Sequence, residues 1–247
     1  MPTLFISDLH LCNERPDKVV LFKRLLEHAA KNADAVYILG DLFEAWAGDD
    51  DTTPPHKEII SALTEFTRSG KPLYLMRGNR DFLLGKTFNK NTGVFPIEDP
   101  TVIDLYGNKI LLMHGDTLCT KDVKYQIYRH VVNNPASINI FLLIPFSFRQ
   151  KIWHGIRNIT RKTTARKSPY IVDVYQPTVE KVMLENNVQI LIHGHTHHEG
   201  IHEFEMHGKK AMRYVLGDWY NKDSVLIADK NNLQLMRVEE YLKNNQG

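Results

Sequence analysis

The sequence predicts an α/β chain in which two sheets pack face to face with helices outside. Three observations lead there. Strand-then-helix units recur in the first half, several apolar strands crowd the last third, and five strands run directly into short polar motifs.

Thr3 to Ser7 is a short apolar run. Asp17 to Ala30 then carries Val19, Phe22, Leu25, Leu26 and Ala29 at helical spacing, completing a first β-then-α unit. Ala35 to Leu39 followed by Glu58 to Thr67 repeats the unit, with Ile59, Ile60, Leu63 and Phe66 on one face and Gly70 placed to cap the helix. Pro72 to Met76 is a third strand. Val102 to Leu105 and Ile110 to Met113 flank Tyr106-Gly107-Asn108-Lys109, a turn in which Gly107 can take positive φ, so a hairpin is expected. Past a helical region, Val188 to Ile192 is an apolar strand. Met212 to Leu216, Ser224 to Ala228 and Leu233 to Val238 are expected to form a second sheet. There is no internal repeat or low-complexity segment.

The 247 residues suit a single large domain with an inserted cap, and 43% hydrophobic with 24% charged residues is a globular balance. Lys and Arg number 31 against 29 Asp and Glu, a formal +2, which gives no case for nucleic acid as a partner. Cys12 and Cys119 make no disulfide framework, and a reducing, cytoplasmic setting is expected. The N-terminus lacks the pattern of a secretory signal. The longest apolar stretch, Ile138 to Phe148, is interrupted by Asn139, Pro145 and Ser147 and falls short of the roughly 20 residues that span a bilayer.

The five strand-end motifs are Ser7-Asp8-Leu9-His10, Gly40-Asp41-Leu42-Phe43-Glu44, Gly78-Asn79-Arg80-Asp81, His114-Gly115-Asp116 and His193-Gly194-His195-Thr196-His197. Asp, Asn and neutral imidazole are donors for Mn, Fe, Zn or Co rather than for a thiolate-loving metal. The candidate ligands are Asp8, His10, Asp41, Asn79, His114, His195 and His197. In Asp8/His10 and His195/His197 the x-spacing would let both members face one pocket if the segment is extended. Glycines 40, 78, 115 and 194 stand beside these candidates, where a missing Cβ permits close approach. A lone His-x-His or Gly-Asp says little; five such motifs, each after a strand, define a dinuclear site.

This ordered set resembles the calcineurin-like metallophosphoesterase superfamily from Asp8 to His197. The resemblance implies a four-layer α/β/β/α sandwich with an inserted helical cap. It also implies one metal on Asp8, His10, Asp41 and His197 and a second on Asp41, Asn79, His114 and His195, with Asp41 bridging. Two cations would activate water and offset charge in an in-line displacement at phosphorus. Superfamily members commonly carry His where this chain has Arg80. A guanidinium has the fork geometry to clamp a phosphoryl group, the alternative being a plain ion pair with Asp81 or Glu44.

Between Lys121 and Lys167 ten Lys and Arg residues face a single acid, Asp122, interleaved with Phe141, Leu142, Leu143, Ile144, Phe146, Phe148 and Trp153, and with Ile152, Ile156 and Ile159 at helical spacing. Ordinary cap helices would explain such a segment. Its place between the fourth and fifth motifs also suits an anionic, lipid-bearing substrate or an anionic membrane surface. The cap is expected over about 121–170.

Longer strings around the first four motifs, among them Gly40-Asp41-Leu42-Phe43-Glu44-Ala45-Trp46 and His114-Gly115-Asp116-Thr117-Leu118-Cys119, resemble a narrower family of nucleotide-lipid pyrophosphatases of lipid A biosynthesis. That resemblance implies manganese as cofactor and hydrolysis of UDP-2,3-diacylglucosamine to UMP and 2,3-diacylglucosamine 1-phosphate, with water attacking the α-phosphorus. It implies a peripheral protein on the cytoplasmic face of a Gram-negative inner membrane, and substrate contacts at Asn79, Arg80, Asp122, Thr160, Thr164, Lys167 and His195. The competing readings are a generic metal-dependent phosphodiesterase or phosphatase and a non-catalytic scaffold of the same fold. Asp49 to Asp51 reads as a solvated loop, and the sequence assigns no role to His198 or Asp218.

Overall fold

In the computed structural model, residues 1–164 and 169–244 are described, apart from the side chains at 154, 158, 159, 161–164, 169 and 170. Of the expected substrate contacts, Lys167 lies outside the described residues and the Thr164 side chain is among those not described.

The chain opens with β1 (Thr3–Ile6), α1 (Pro16–Asn32), β2 (Ala35–Leu39), α2 (His56–Arg68), β3 (Leu73–Met76), α3 (Lys86–Thr92) and β4 (Phe95–Ile97). These strands run parallel in the order β1, β2, β3, β4. A second sheet is built from β5 (Thr101–Leu105), β6 (Asn108–Met113), β7 (Ile190–His193), β8 (Gly200–Met206) and β9 (Lys209–Val215), in the order β5, β6, β7, β9, β8. Between β6 and β7 lie α4 (Val123–Val132), α5 (Pro135–Leu142), α6 (Phe146–Thr164), α7 (Pro169–Val172) and α8 (Gln176–Glu185). The described chain ends with β10 (Ser224–Ala228), β11 (Leu233–Arg237) and α9 (Val238–Asn244).

One placement corrects the sequence reading. β10 and β11 do not join the second sheet: β10 pairs antiparallel with β1 through Thr3↔Ala228 and Phe5↔Leu226, extending the first sheet, and β11 forms its edge. Their local pattern states only that they are strands; which sheet adopts them is decided by non-local pairing. The hairpin is also tighter than expected. Leu105 pairs with Asn108, so the turn is only Tyr106 and Gly107, both at positive φ (54° and 84°), the two-residue geometry that follows strand twist.

Three apolar layers hold the sandwich. Phe5, Leu39, Met76 and Leu226 of the first sheet meet Ile110, Leu112, Ile192 and Tyr214 of the second in the central core. On the first sheet's outer face lie Phe22, Leu25 and Leu26 of α1, Ile59, Leu63 and Phe66 of α2, and Tyr241 and Leu242 of α9. Each such fully buried side chain contributes about 1.5–3 kcal/mol. Val179 and Met183 of α8 cover Leu111, Met113 and Leu191 on the second sheet's outer face. The layers are therefore helix, sheet, sheet, helix, with the C-terminal ends of β1, β2, β3, β6 and β7 brought to one region, as ligand sites of α/β sheets require.

Candidate metal centre

The β1–β2 ladder does not stop where the strands do. Asp8 N–H donates to Gly40 O (3.1 Å), His10 N–H to Asp41 O (3.0 Å) and Leu11 N–H to Leu42 O (3.0 Å), so the first two motifs lie zipped side by side. Within them Asp8, His10 and Asp41 have φ of 54°, 48° and 53°, and His195 and His197 of the fifth motif have 68° and 60°. The x-spaced pairs are thus not extended, contrary to the sequence expectation. Alternate residues are left-handed, which curls each loop so that both members of a pair face inward, at a conformational cost that the surrounding fold must hold.

Two glycines make room for this. A Cβ on Gly78 would overlap the Asp41 carboxylate, and one on Gly194 would overlap Asp8 and Ser7. Asp81 then ties the second motif to the third: its carboxylate accepts from Leu42 N–H (2.7 Å) and Gly78 N–H (2.7 Å).

The side chains converge in two groups that share Asp41. On one side His10 Nε2 stands 3.4 Å from His197 Nε2, 3.9 Å from Asp8 Oδ1 and 3.8 Å from Asp41 Oδ2. On the other, Asn79 Oδ1 lies 3.1 Å from His114 Nε2 and 2.9 Å from His195 Nδ1, and His114 Nε2 is 3.9 Å from Asp41 Oδ1. Each Asp41 oxygen therefore faces one group. Asp8 is fully buried; its Oδ2 accepts from Ser7 Oγ–H (2.7 Å) and His195 N–H (2.8 Å), whereas Oδ1 has no hydrogen-bond donor although His197 Nε2 is 3.3 Å away. A buried anionic oxygen without a donor, ringed by imidazole nitrogens, fits a divalent cation. Among the described residues, the His, Cys, Asp and Glu groups close enough to share an ion are Asp8/His10/His197 and Asp8/Asp41/His114.

Outer partners orient the rings, as metal-binding histidines require. His114 Nδ1 lies 2.9 Å from Leu39 O, which leaves Nε2 free to coordinate. His10 Nδ1 faces Glu44 Oε2 at 3.0 Å, and His197 Nδ1 faces Asp218 Oδ2 at 3.6 Å. The charges follow. Burial lowers His10 to about 4 and, with His114, lowers His195 to about 3. Burial also opposes charge on His114, yet Asp41, Asp8 and Asp116 outweigh it and hold that ring up to about 9. His197 is raised by its Asp8 contact despite burial. The opposite directions of His10 and His197 agree with their geometry: two nitrogens 3.4 Å apart hold one proton between them, and the more exposed ring keeps it. Asp8 itself is held well below the carboxylate range, because the histidines more than offset its burial.

Beside this centre opens a cavity of about 450 Å³ lined by Asn79, Arg80, Asp122, Tyr125, Trp153 and Thr160, among others. Arg80 makes no ion pair with Asp81 or Glu44 among the described residues: Asp81 is taken by backbone donors and Glu44 by Arg157, and the buried Arg80 Nε has no partner. Asp122 caps α4 by accepting from Tyr125 N–H (3.2 Å), and Thr160 Oγ–H donates to Arg157 O (3.0 Å) while both line the cavity.

Asp49 and Asp51 are not solvated, while Asp50 between them is exposed. Asp49 accepts from Gly85 N–H (2.8 Å) and Phe88 N–H (3.0 Å), Asp50 meets Arg149, and Asp51 is only 5% exposed, 3.2 Å from His56 Nδ1. A run of three acids looks solvated in one dimension; here the neighbouring backbone donors and Arg149 take it up. Glu44 stood in the sequence only as a motif residue and possible partner of Arg80, and Asp218 without a role, because nothing local marks an acid as facing a histidine elsewhere in the chain; here they are the partners of His10 and His197. Tyr125 was missed too; its ring stacks on His195 (5.9 Å between centroids) and its hydroxyl donates to Asp116 (2.8 Å).

The sequence profile of the calcineurin-like phosphoesterases matches residues 1–199. The chain belongs to that family, whose members use divalent metals, and it has the family's fold. Curated relatives make the likeness more particular. Proteins named UDP-2,3-diacylglucosamine hydrolase from Vibrio parahaemolyticus and Aeromonas hydrophila are 47% and 46% identical, over 95% and 92% of this chain and 97% and 94% of theirs. One of the same name from Photobacterium profundum is 44% identical over the full length of both.

Proposed function

We propose that this chain hydrolyses the pyrophosphate bond of UDP-2,3-diacylglucosamine to UMP and 2,3-diacylglucosamine 1-phosphate in lipid A biosynthesis. The observation that carries the reading is the convergence of Asp8, His10, Asp41, Asn79, His114, His195 and His197 in two groups that share Asp41, with the unsatisfied Asp8 oxygen among them, in a chain with full-length relatives of that name.

Asp8, His10, Asp41 and His197 would hold one cation and Asp41, Asn79, His114 and His195 the other; this O/N donor set suits Mn, Fe, Zn or Co, and manganese is the metal that the family resemblance implies. Two such cations supply Lewis acidity and a nucleophilic water at neutral pH. The chain's own groups do the rest. Arg80, with its Nε unpartnered at the cavity wall, neutralises the phosphoryl oxygens. Asp122 and Thr160 face the sugar, and Thr164 and Lys167 join them in this reading. Trp153 and Ile156 line the cavity and offer apolar surface for acyl chains, worth about 0.8 kcal/mol per methylene buried.

No described helix is long and apolar enough to cross a membrane. In α4 an exposed apolar stripe, Val123, Ile127 and Val131, runs on the same face at every fourth residue, and Leu143 after α5 is 84% exposed. Lys124 and Lys151 stand nearby on α4 and α6. This greasy, cationic face suits peripheral docking on an anionic bilayer, where the substrate resides.

The decisive experiment follows UMP release from UDP-2,3-diacylglucosamine with and without manganese, for the parent and for Asp8→Ala, Asn79→Ala and His195→Ala. Release that requires the metal and is lost in all three folded variants is expected; retained turnover in the three ends the two-cation reading.

A further inference from the structure

A second cavity, of about 710 Å³, lies beside the metal centre, between the loop after β1, the loop running from Glu44 to His56, and α6. It shares Trp153 and Arg157 with the first cavity. We propose that this cavity is the nucleoside subsite, with Tyr220, Arg15 and Asn13 reading a uracil-bearing nucleotide; the proposal rests on the nucleotide-lipid reading above.

Topology of the substrate comes first. A pyrophosphate diester carries two bulky arms, and at the phosphorus under attack the nucleoside ester and the leaving lipid phosphate are separate substituents. They need separate spaces. The first cavity contains Arg80, Asp122 and Thr160, the groups suited to phosphate and sugar, and its apolar wall takes the lipid side. The second adjoins a candidate ligand: the Tyr220 ring stacks on His10 with centroids 5.3 Å apart and planes 30° apart, and Glu44, also in its wall, lies 3.0 Å from His10 Nδ1.

Its chemistry suits a base and a ribose better than a hydrocarbon. Asn13, Glu14, Glu44, Gln150 and Arg157 all contribute to the lining, and covering them with acyl chains would desolvate polar groups without replacing their hydrogen bonds. Beyond its stack on His10, the Tyr220 ring becomes a π-surface for a base when the Arg15 guanidinium over it swings away. The Arg15 guanidinium sits over that ring at 5.7 Å, held only by contacts of 3.3 Å to Asp17 and 3.4 Å to Tyr220 O, so it can be recruited by a ligand. The Asn13 carboxamide is exposed and has no hydrogen-bond partner among the described residues. A carboxamide offers adjacent donor and acceptor to a pyrimidine edge, and can turn to fit uracil or cytosine alike. Arginine only donates: set against the pyrimidine's position-4 substituent, Arg15 meets an acceptor in uracil and a second donor in cytosine.

The test measures binding of UMP, CMP and 2,3-diacylglucosamine 1-phosphate to the manganese-loaded protein by calorimetry, for the parent, Arg15→Ala, Asn13→Ala and Tyr220→Leu, with metal content assayed in each. The parent is expected to bind UMP more tightly than CMP. Each variant should weaken UMP by about tenfold, the scale of one lost stacking or base contact, with the lipid product's affinity and the metal content retained. Parent-like UMP affinity in all three variants overturns the subsite, as does equal weakening of both products. A parent that releases UMP from the substrate while Arg15→Ala discriminates UMP from CMP as it does also overturns it. A parent that releases no UMP at all instead sinks the substrate reading on which the subsite rests.

Discussion

Five of the seven candidate ligands are non-glycine residues at positive φ, and the smallest neighbours, Gly78 and Gly194, are pressed against the carboxylates of Asp41 and Asp8. Position is therefore held by close contact rather than by slack. A single methyl in the wrong place should matter: Gly194→Ala pushes Asp8 and is expected to lower turnover by about 10²-fold in a protein that still folds, because displacements near 1 Å cost that much. Circular dichroism and a rate assay on the same sample check it, and near-normal turnover would show that the loop yields freely. Protons and cations compete for the same nitrogens. His114, raised to about 9, adds stability to the metal-free protein that is fully present below the unfolded histidine value near 6.5 and is lost as pH rises through 9. His10 and His195, lowered to about 4 and 3, act in reverse and cost stability as pH falls below 6.5. A bound cation must expel the His114 proton, so metal affinity should climb about tenfold per pH unit up to about 9. Thermal melts with manganese at pH 6.5 and 9 read this directly; an equal metal-induced rise in Tm at both values contradicts it.

At the scale of elements, α6 is fastened to the loop that follows β2. Arg149, 3% exposed, donates through Nε to Ile144 O (2.8 Å) and also meets Ala47 O and the Asp50 carboxylate, Gln150 donates to Thr53 Oγ1 (2.7 Å), and Arg157 donates to Glu44 O (2.8 Å). Trp153 inserts beside Phe82 between them, with ring centroids 5.3 Å apart. Arg149→Ala would leave two carbonyls without their donor and is expected to cost roughly 2–4 kcal/mol, read as a lowered denaturant midpoint. A loss under about 0.5 kcal/mol would mean water replaces the guanidinium. Arg149 illustrates what the sequence could and could not tell. It was counted among the cations of a basic patch, and Arg129 with it, yet Arg149 is buried against the loop and Arg129 pairs with Asp116 at 2.5 Å. Strand-end motifs were legible because continuous apolar runs and their polar ends are local signals; β2 was bounded to the residue. β4, Phe95–Ile97, and β8, whose pattern is largely exposed, were missed because short or edge strands carry little apolar alternation. The sheet that β10 and β11 join, the left-handed form of the ligand loops, and Glu44 and Asp218 behind their histidines are decided by contacts across the chain, which no local pattern encodes.

At the scale of the whole molecule, the metal centre and the exposed apolar stripe of α4 belong to neighbouring parts of one architecture. α4 starts at Asp122 on the cavity rim and sends Tyr125 onto His195, while Val123, Ile127 and Val131 of the same helix are more than half exposed. One helix thus has an inner side on the site and an outer side that no other part of the described chain covers. Under the proposed function that arrangement has a physical use: docking the outer side on a bilayer would bring the cavity mouth to the surface that holds a lipid-bearing substrate. The docking has two contributions, burial of aliphatic side chains and attraction of Lys124 and Lys151 to anionic headgroups, and they separate experimentally. Ile127→Glu with Leu143→Glu removes the first and adds repulsion. Because both residues are exposed, the fold should persist, while cosedimentation with phosphatidylglycerol vesicles drops at least tenfold, consistent with about 1.5–3 kcal/mol for each buried aliphatic side chain. Raising salt in the parent should weaken binding only in part, since screening acts on the lysines and leaves the apolar contribution. Undiminished cosedimentation of the double variant would place the docking face elsewhere. Binding in the parent that vanishes entirely with salt would show that the apolar stripe takes no part in it.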